Sequence, residues 1–238
     1  MFSFPHLRRV AAFAALSCFG FMQASIAYPE LEMARDAQNL ASLDSIIARY
    51  NKAAESNASS AEAQYKSALA YSYAAQVAME LRDKKKSESY AVAGLDRAKK
   101  AVADNGSNAE YHRLQGALCG QVIPASPIMG ALSYGNCARD EIEKAISLNG
   151  NLAIAYVSRG VGNFYLPAQM GGGIDLALKD VDKAISLDPK LAEAYVWKGV
   201  VLHKADRNAE ARQAFTQALK LDPANIWAKQ QLDKTPAQ

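Results

Sequence analysis

Cysteine, proline and aromatic residues are scarce in this chain. Three Cys and eight Pro in 238 residues exclude a disulfide-dense mini-protein and a collagen-like fibre. Aromatic residues make up only 8% of the chain, and five of the seven Phe lie within residues 1–27. Clustered positive charge is missing as well. Arg8 and Arg9 are the only bases in the first 27 positions, which hold no acid, so 25 bases face 24 acids in the remainder. A body so near neutral is no electrostatic match for nucleic acid, whose binding needs a basic patch. No apolar run reaches the roughly 20 residues that a membrane-spanning helix needs. Hydrophobic residues, in contrast, make up 50% of the chain, enough to bury a core and to exclude a disordered tail.

Residues 1–27 have the three parts of a secretory signal. Arg8 and Arg9 supply a basic start, Val10–Met22 an apolar run, and Ser25-Ile26-Ala27 the small residues of a cleavage site. Cys18 falls inside that run, but Ala15-Leu16-Ser17 before it match a lipidation site poorly. Cleavage after Ala27 and export to a bacterial periplasm, or secretion, is therefore the expectation. The alternative is an uncleaved N-terminal membrane anchor. Export would leave Cys119 and Cys137 in an oxidising compartment.

The body repeats itself. Glu143-Lys-Ala-Ile-Ser-Leu-Asn-Gly150, Asp182-Lys-Ala-Ile-Ser-Leu-Asp-Pro189 and Thr216-Gln-Ala-Leu-Lys-Leu-Asp-Pro223 end three segments alike, and Ala98–Gly106 is a degenerate fourth. An Ala-rich start follows each ending. In the last unit Tyr195, Gly199 and Leu202 share one helix face, and Ala211, Phe215, Ala218 and Leu219 line a second. Asp206-Arg207-Asn208 breaks the two helices and Pro223 closes the unit. Small residues at Gly199, Ala211 and Ala218 let the two backbones approach. The result is an antiparallel hairpin whose apolar edge only another hairpin can cover.

Gly199, Ala211, Phe215, Ala218 and Pro223, at this spacing and a period near 34, resemble the tetratricopeptide repeat. Earlier units carry Tyr156, Gly160, Ala177, Ala184 and Pro189, then Gly116, Ala138, Ala145 and Gly150, then Ala68, Gly94 and Ala101, with ever longer gaps. The insertions around Leu166–Gly173 and Gly116–Pro124 are similar to those of exported bacterial proteins with irregular tetratricopeptide repeats. The long-hairpin layout is also similar to the helical domain of the regulator of microtubule dynamics proteins. Gln115, Arg159 and Lys198 depart from the repeat, standing where a large apolar residue is usual. The resemblance implies an all-α fold, a right-handed α-solenoid of antiparallel hairpins with capping helices. On this reading residues 28–60 form an N-terminal cap, with one helix over 30–55. Residues 61–107, 108–150, 151–190 and 191–224 form four hairpins, and 225–238 a capping helix with a loose tail.

No residue cluster offers chemistry. Gly171-Gly172-Gly173 lacks the Lys-Ser/Thr ending of a phosphate-binding loop and follows no strand, so it reads as a bend. His112 and His203 have no zinc-ligand spacing and read as surface or groove residues. The serines have no local base or orienting acid. Asp83–Glu88 reads as a solvated loop tip, and the stripe Tyr65, Ala68, Tyr71, Ala75 as core. Cys119 and Cys137 fall in one hairpin and are either a disulfide or two buried thiols. No cofactor, no metal and no catalytic residue is expected.

What remains is the concave face. In a tetratricopeptide array the first helices of the hairpins line an inner groove. Counting from Gly116, Gly160 and Gly199 selects Arg113, Ala117, Gln121, Val157, Val161, Phe164, Tyr165, Val196, Val200, His203 and Lys204. This apolar set with a few polar tips suits a helix or an extended peptide better than a chain-terminal carboxylate. The expectation is a non-enzymatic periplasmic scaffold for a protein or peptide. The alternative is a solute- or ligand-binding accessory protein of a transport system.

Overall fold

The computed structural model describes residues 28–237. The expected signal peptide, residues 1–27, lies outside the described residues. Eleven α-helices and no strand make up the described chain: α1 (Pro29–Asp36), α2 (Leu40–Ser56), α3 (Ala61–Glu80), α4 (Lys84–Asp104), α5 (Ala109–Val122), α6 (Pro127–Leu148), α7 (Ala153–Tyr165), α8 (Ile174–Leu187), α9 (Ala192–Lys204), α10 (Asn208–Leu221) and α11 (Ile226–Lys234). Each helix packs chiefly on its neighbours in sequence, which is the pattern of an α-solenoid. The hairpins are α3–α4, α5–α6, α7–α8 and α9–α10.

Small residues set the spacing within the hairpins. A Cβ on Gly199 would stand 2.5 Å from the Phe215 ring, and one on Gly116 2.8 Å from Ile142. Phe215 is fully buried with Ala211, Ala214 and Ala218, so its ring occupies the space that the glycine leaves. Side-chain caps satisfy the first free amides of five helices: Asn39, Ser60, Asp83, Asn108 and Asn225 each accept from an amide two or three residues on.

Several local expectations change. Residues 30–55 form two helices, not one, because Gln38 turns into the left-handed region (φ 50°) and ends α1. Asp83–Glu88 is not loop: Asp83 caps α4 and Lys84–Lys86 are its first turn. The insertion expected at Gly116–Pro124 leaves α5 at 14 residues, adds a single 3-10 turn at Ile123–Ala125 and puts most of the extra length into α6, which has 22 residues against 14 in α8 and α10. Around Leu166–Gly173 the chain makes another 3-10 turn and then reverses through Gly171 and Gly173 at positive φ. The tail is anchored, since Thr235 is buried and Arg212 Nη1 donates to its carbonyl at 2.7 Å.

Gln115, Arg159 and Lys198, the departures from the repeat, face neighbouring helices. Arg159 pairs with Asp180 of α8 at 2.7 Å and reaches Glu143 of α6, while Lys198 pairs with Asp182 of α8. The pair with Asp180 lies within the hairpin α7–α8, while those of Arg159 with Glu143 and Lys198 with Asp182 link successive hairpins. Gln115 Oε1 is buried without a hydrogen-bond partner among the described residues, a local cost that the structure does not offset.

Cys119 and Cys137 are joined by a disulfide across α5 and α6, with 6.0 Å between their Cα atoms. It closes a loop of 18 residues, which should stabilise the fold by about 3 kcal/mol through the unfolded chain's lost entropy. The native protein should weigh two hydrogens less than its reduced form, and reduction should lower its urea midpoint. An unchanged mass or midpoint after reduction contradicts the assignment.

Candidate functional site

The first helices α3, α5, α7 and α9 face inward and surround a cavity of about 3190 Å³. Its wall is more aromatic and more charged than the expected set. Tyr65 stacks on Tyr111 with ring centroids 5.0 Å apart, and Tyr28 leans on Tyr65. The Tyr28 and Tyr111 hydroxyls both donate to Glu62, and that of Tyr65 donates to Glu110. Across the cavity Tyr165, Trp197 and Trp227 form a second aromatic row. Burial, reinforced by Glu62, pushes the Tyr28 hydroxyl well above its ordinary range, so it stays a donor.

Two arginines in the wall are held by neighbouring carboxylates. Arg113 donates twice to Glu110, through Nε at 2.9 Å and Nη2 at 2.5 Å. Burial alone would lower the Arg113 pKa, but Glu110 outweighs it and holds the guanidinium charged. Arg35 pairs with Asp36 at 2.7 Å and lies 4.7 Å from the Tyr73 ring centroid. Here too burial is outweighed, by Tyr73, Glu193 of α9 and Asp36.

Glu193 acts on Arg35 because the two ends of the array meet. Gln230 of α11 donates to Gln38 of the α1–α2 turn at 3.1 Å. Arg35 and Gln76 face Glu193, Asp222, Asn225 and Trp227 across a crevice of about 30 Å³. Gln38 and Gln76 both donate to Glu80 at 2.9 Å. The N-terminal cap therefore meets the C-terminal one, and the groove becomes a ring-shaped chamber that stays open to solvent.

The expected groove residues divide. Arg113, Ala117, Gln121, Val161 and Tyr165 line the cavity, and Gln121 is tied to Ser72 of α3. Val157 reaches the wall but is 1% exposed and packs with Ala184 and Ala194. Phe164, Val196, Val200, His203 and Lys204 are absent from the cavity wall. Phe164 packs on Tyr165 and Trp197, and His203 bonds Asn208. Val196 and Val200 are covered by α11, whose Ala228, Trp227 and Leu232 join their cluster. On α9 it is Glu193 and Trp197 that face inward. Counting from the glycine missed this because it took every first helix to be covered alike, whereas α9 also carries the terminal cap.

The stripe expected as core divides too. Ala68 and Ala75 are buried, but Tyr65 is wall. Tyrosines on the inner faces of the first helices were the available signal. His112 is neither surface nor groove: it is buried, with Nδ1 on Glu141 and Nε2 on the Gly106 carbonyl. No group of three or more metal-ligating side chains occurs among the described residues.

A profile of the regulator of microtubule dynamics protein 1-3 family matches residues 31–166, and a tetratricopeptide repeat profile matches residues 192–225. No curated protein gives a significant sequence match. Among solved structures the chain is similar to TTC0263, a thermophilic tetratricopeptide protein of Thermus thermophilus. The match has a TM-score of 0.62 at 16% identity and covers 87% of this chain and 96% of that one. It is also similar to the HusA haemophore of Porphyromonas gingivalis, with TM-score 0.53, 20% identity, and 84% and 96% of the two chains covered. Both likenesses concern the fold.

Burial pushes the Glu80 carboxyl up to about 6, against the hydrogen bonds from Gln38 and Gln76. A raised carboxyl pKa means that the folded state takes up the proton first. The group's contribution to stability is then full below its ordinary value of 4.5 and is lost as the pH rises through about 6. Relative to Glu80→Gln, the wild type should gain about 2 kcal/mol between about pH 7 and pH 4 in urea unfolding. A difference that does not change with pH contradicts the assignment.

Proposed function

Because the chain belongs to the regulator of microtubule dynamics protein 1-3 family and carries a tetratricopeptide repeat near its C-terminus, we propose that it is a non-enzymatic scaffold which holds a protein or peptide partner inside its curved array. Its place of action is the periplasm, on the strength of the signal-like residues 1–27. The fold itself suits partner binding, since a solenoid presents an extended concave surface.

The size of the chamber carries the reading. At about 3190 Å³ it is several times larger than the roughly 300–1,000 Å³ of small-molecule sites. An α-helix about 11 Å across that rises 1.5 Å per residue would place on the order of 20 residues in that space. The wall supplies what peptide recognition uses, rigid aromatic anchors in Tyr165 and Trp197 beside fixed charges in Arg113 and Glu110. The second reading, a carrier of a smaller solute, draws on the contact between the two caps, which completes the ring around the chamber.

Two glycines allow a test that spares the fold. Gly120 and Gly162 line the cavity, and a Cβ on either would meet nothing within 4 Å. Gly120→Arg with Gly162→Arg should project two long cationic side chains from two inner helices into the chamber, and each change should stabilise its helix by about 0.8 kcal/mol. Partner recovery from periplasmic extract should fall at least tenfold while the melting temperature holds or rises. Full recovery with both side chains in place contradicts binding along this wall. Stabilisation of the wild type by a small metabolite, abolished in this variant, would favour the carrier.

A further inference from the structure

The two edges of the array differ in backbone and in chemistry: the turns within the hairpins use left-handed residues and 3-10 turns, and those between hairpins do not. The turns that link one hairpin to the next, at 57–60, 105–108, 149–152, 188–191 and 222–225, are rich in Asn, Asp and Ser. The opposite edge holds the turns within the hairpins. It carries eight of the eleven exposed large hydrophobic side chains among the described residues, including Ile128 (78% exposed), Leu132 (75%), Met129, Met170 and Tyr165. No charged residue occurs from Leu114 to Ala138 or from Gly160 to Ile174, the stretches that build the two central tips. In a chain with 21% charged residues this is a local depletion.

Beside these apolar tips stands a basic one. Arg82, Lys84, Lys85 and Lys86 are all exposed at the α3–α4 turn, and none forms a salt bridge among the described residues. Lys84–Lys86 occupy the first turn of α4, where the helix dipole disfavours cations. Lys86 lies over the Tyr90 ring at 5.6 Å, but Lys84 and Lys85 only weaken the helix that carries them, so folding gives no reason for their placement. Protruding apolar side chains flanked by unpaired lysines match an anionic bilayer surface, whose headgroups attract cations while its acyl boundary receives apolar side chains.

We infer that this edge docks the protein on an anionic membrane. Ile128, Met129, Leu132 and Met170 enter the headgroup boundary and the basic tip pairs with lipid phosphates. The attachment is peripheral, since no described helix is long and apolar enough to cross a membrane. It does not depend on a partner in the chamber.

Hydrogen–deuterium exchange on the full chain, with phosphatidylglycerol–phosphatidylcholine vesicles against phosphatidylcholine alone, tests the docking directly. The anionic vesicles should protect residues 81–88, 123–134 and 163–176 and leave the opposite turns unchanged. At about 1 kcal/mol per cation, Lys84→Gln with Lys85→Gln and Lys86→Gln should weaken vesicle partitioning about a hundredfold. Unchanged exchange at the tips overturns the inference even if the protein sediments with vesicles, because another segment then holds it. Protection that rises with protein concentration without lipid overturns it too, in favour of a second copy on this edge. The assay contains no protein partner, so its outcome is separate from that of the chamber test.

Discussion

The uncovered apolar edge of a helical hairpin is the constraint from which the rest of this structure follows. Two helices held at close range by Gly199 and Phe215, or by Gly116 and Ile142, bury only the faces they share. The remaining edge must be covered by a further hairpin, and the array continues until something polar on its outside ends it. Here α1–α2 and α11 serve as those ends. The curve between them brings Gln38 within hydrogen-bond distance of Gln230, 192 residues along the chain. A fold of local contacts thereby acquires one long-range closure, and its inner face becomes a chamber. Arg159 and Lys198 serve the same continuity, since their ion pairs with Glu143 and Asp182 join successive hairpins where an apolar residue would only pack.

The hairpins were legible in the sequence because their cause is local. Three matching endings and the spacing of Gly199, Ala211, Phe215 and Ala218 report a helix period and a close approach, and both survive folding unchanged. Helix ends at Gln38 and at Asp83 were harder, because a left-handed residue other than glycine leaves no compositional mark and a lysine run reads as solvated wherever it lies. The site was legible only in part. Arg113, Gln121, Val161 and Tyr165 lie on first helices whose neighbours are ordinary hairpins, so their register held. Val196 and Val200 failed because α11 covers them, and that packing is settled by where the array stops. The role of Arg35, Glu193 and Gln230 in closure depends on curvature summed over the hairpins, which no local pattern carries.

Chamber and edge divide the chain's chemistry between them. Inside, tyrosines, tryptophans and charges make a polar wall in which several groups satisfy one another, as with Arg113 on Glu110 and Tyr28 on Glu62. Such a wall exposes aromatic faces beside fixed charges, which suits a guest of mixed polarity. Along the edge Lys84 and Lys85 form no salt bridge among the described residues and the apolar side chains lack cover. A binding interior and an attaching edge can act together on one protein, with the body near neutral and its cations gathered where they meet a surface.

Everything said of the chamber rests on the meeting of the two caps. The most direct measurement is the distance between spin labels placed at Ala37 and Lys229, exposed neighbours of Gln38 and Gln230 whose replacement leaves their hydrogen bond in place, read in the full chain by double electron–electron resonance. A closed array gives one narrow distribution at the short end of the measurable range, unchanged by salt that screens exposed charges. A broad distribution centred at long distance would show an open arc and contradict the account.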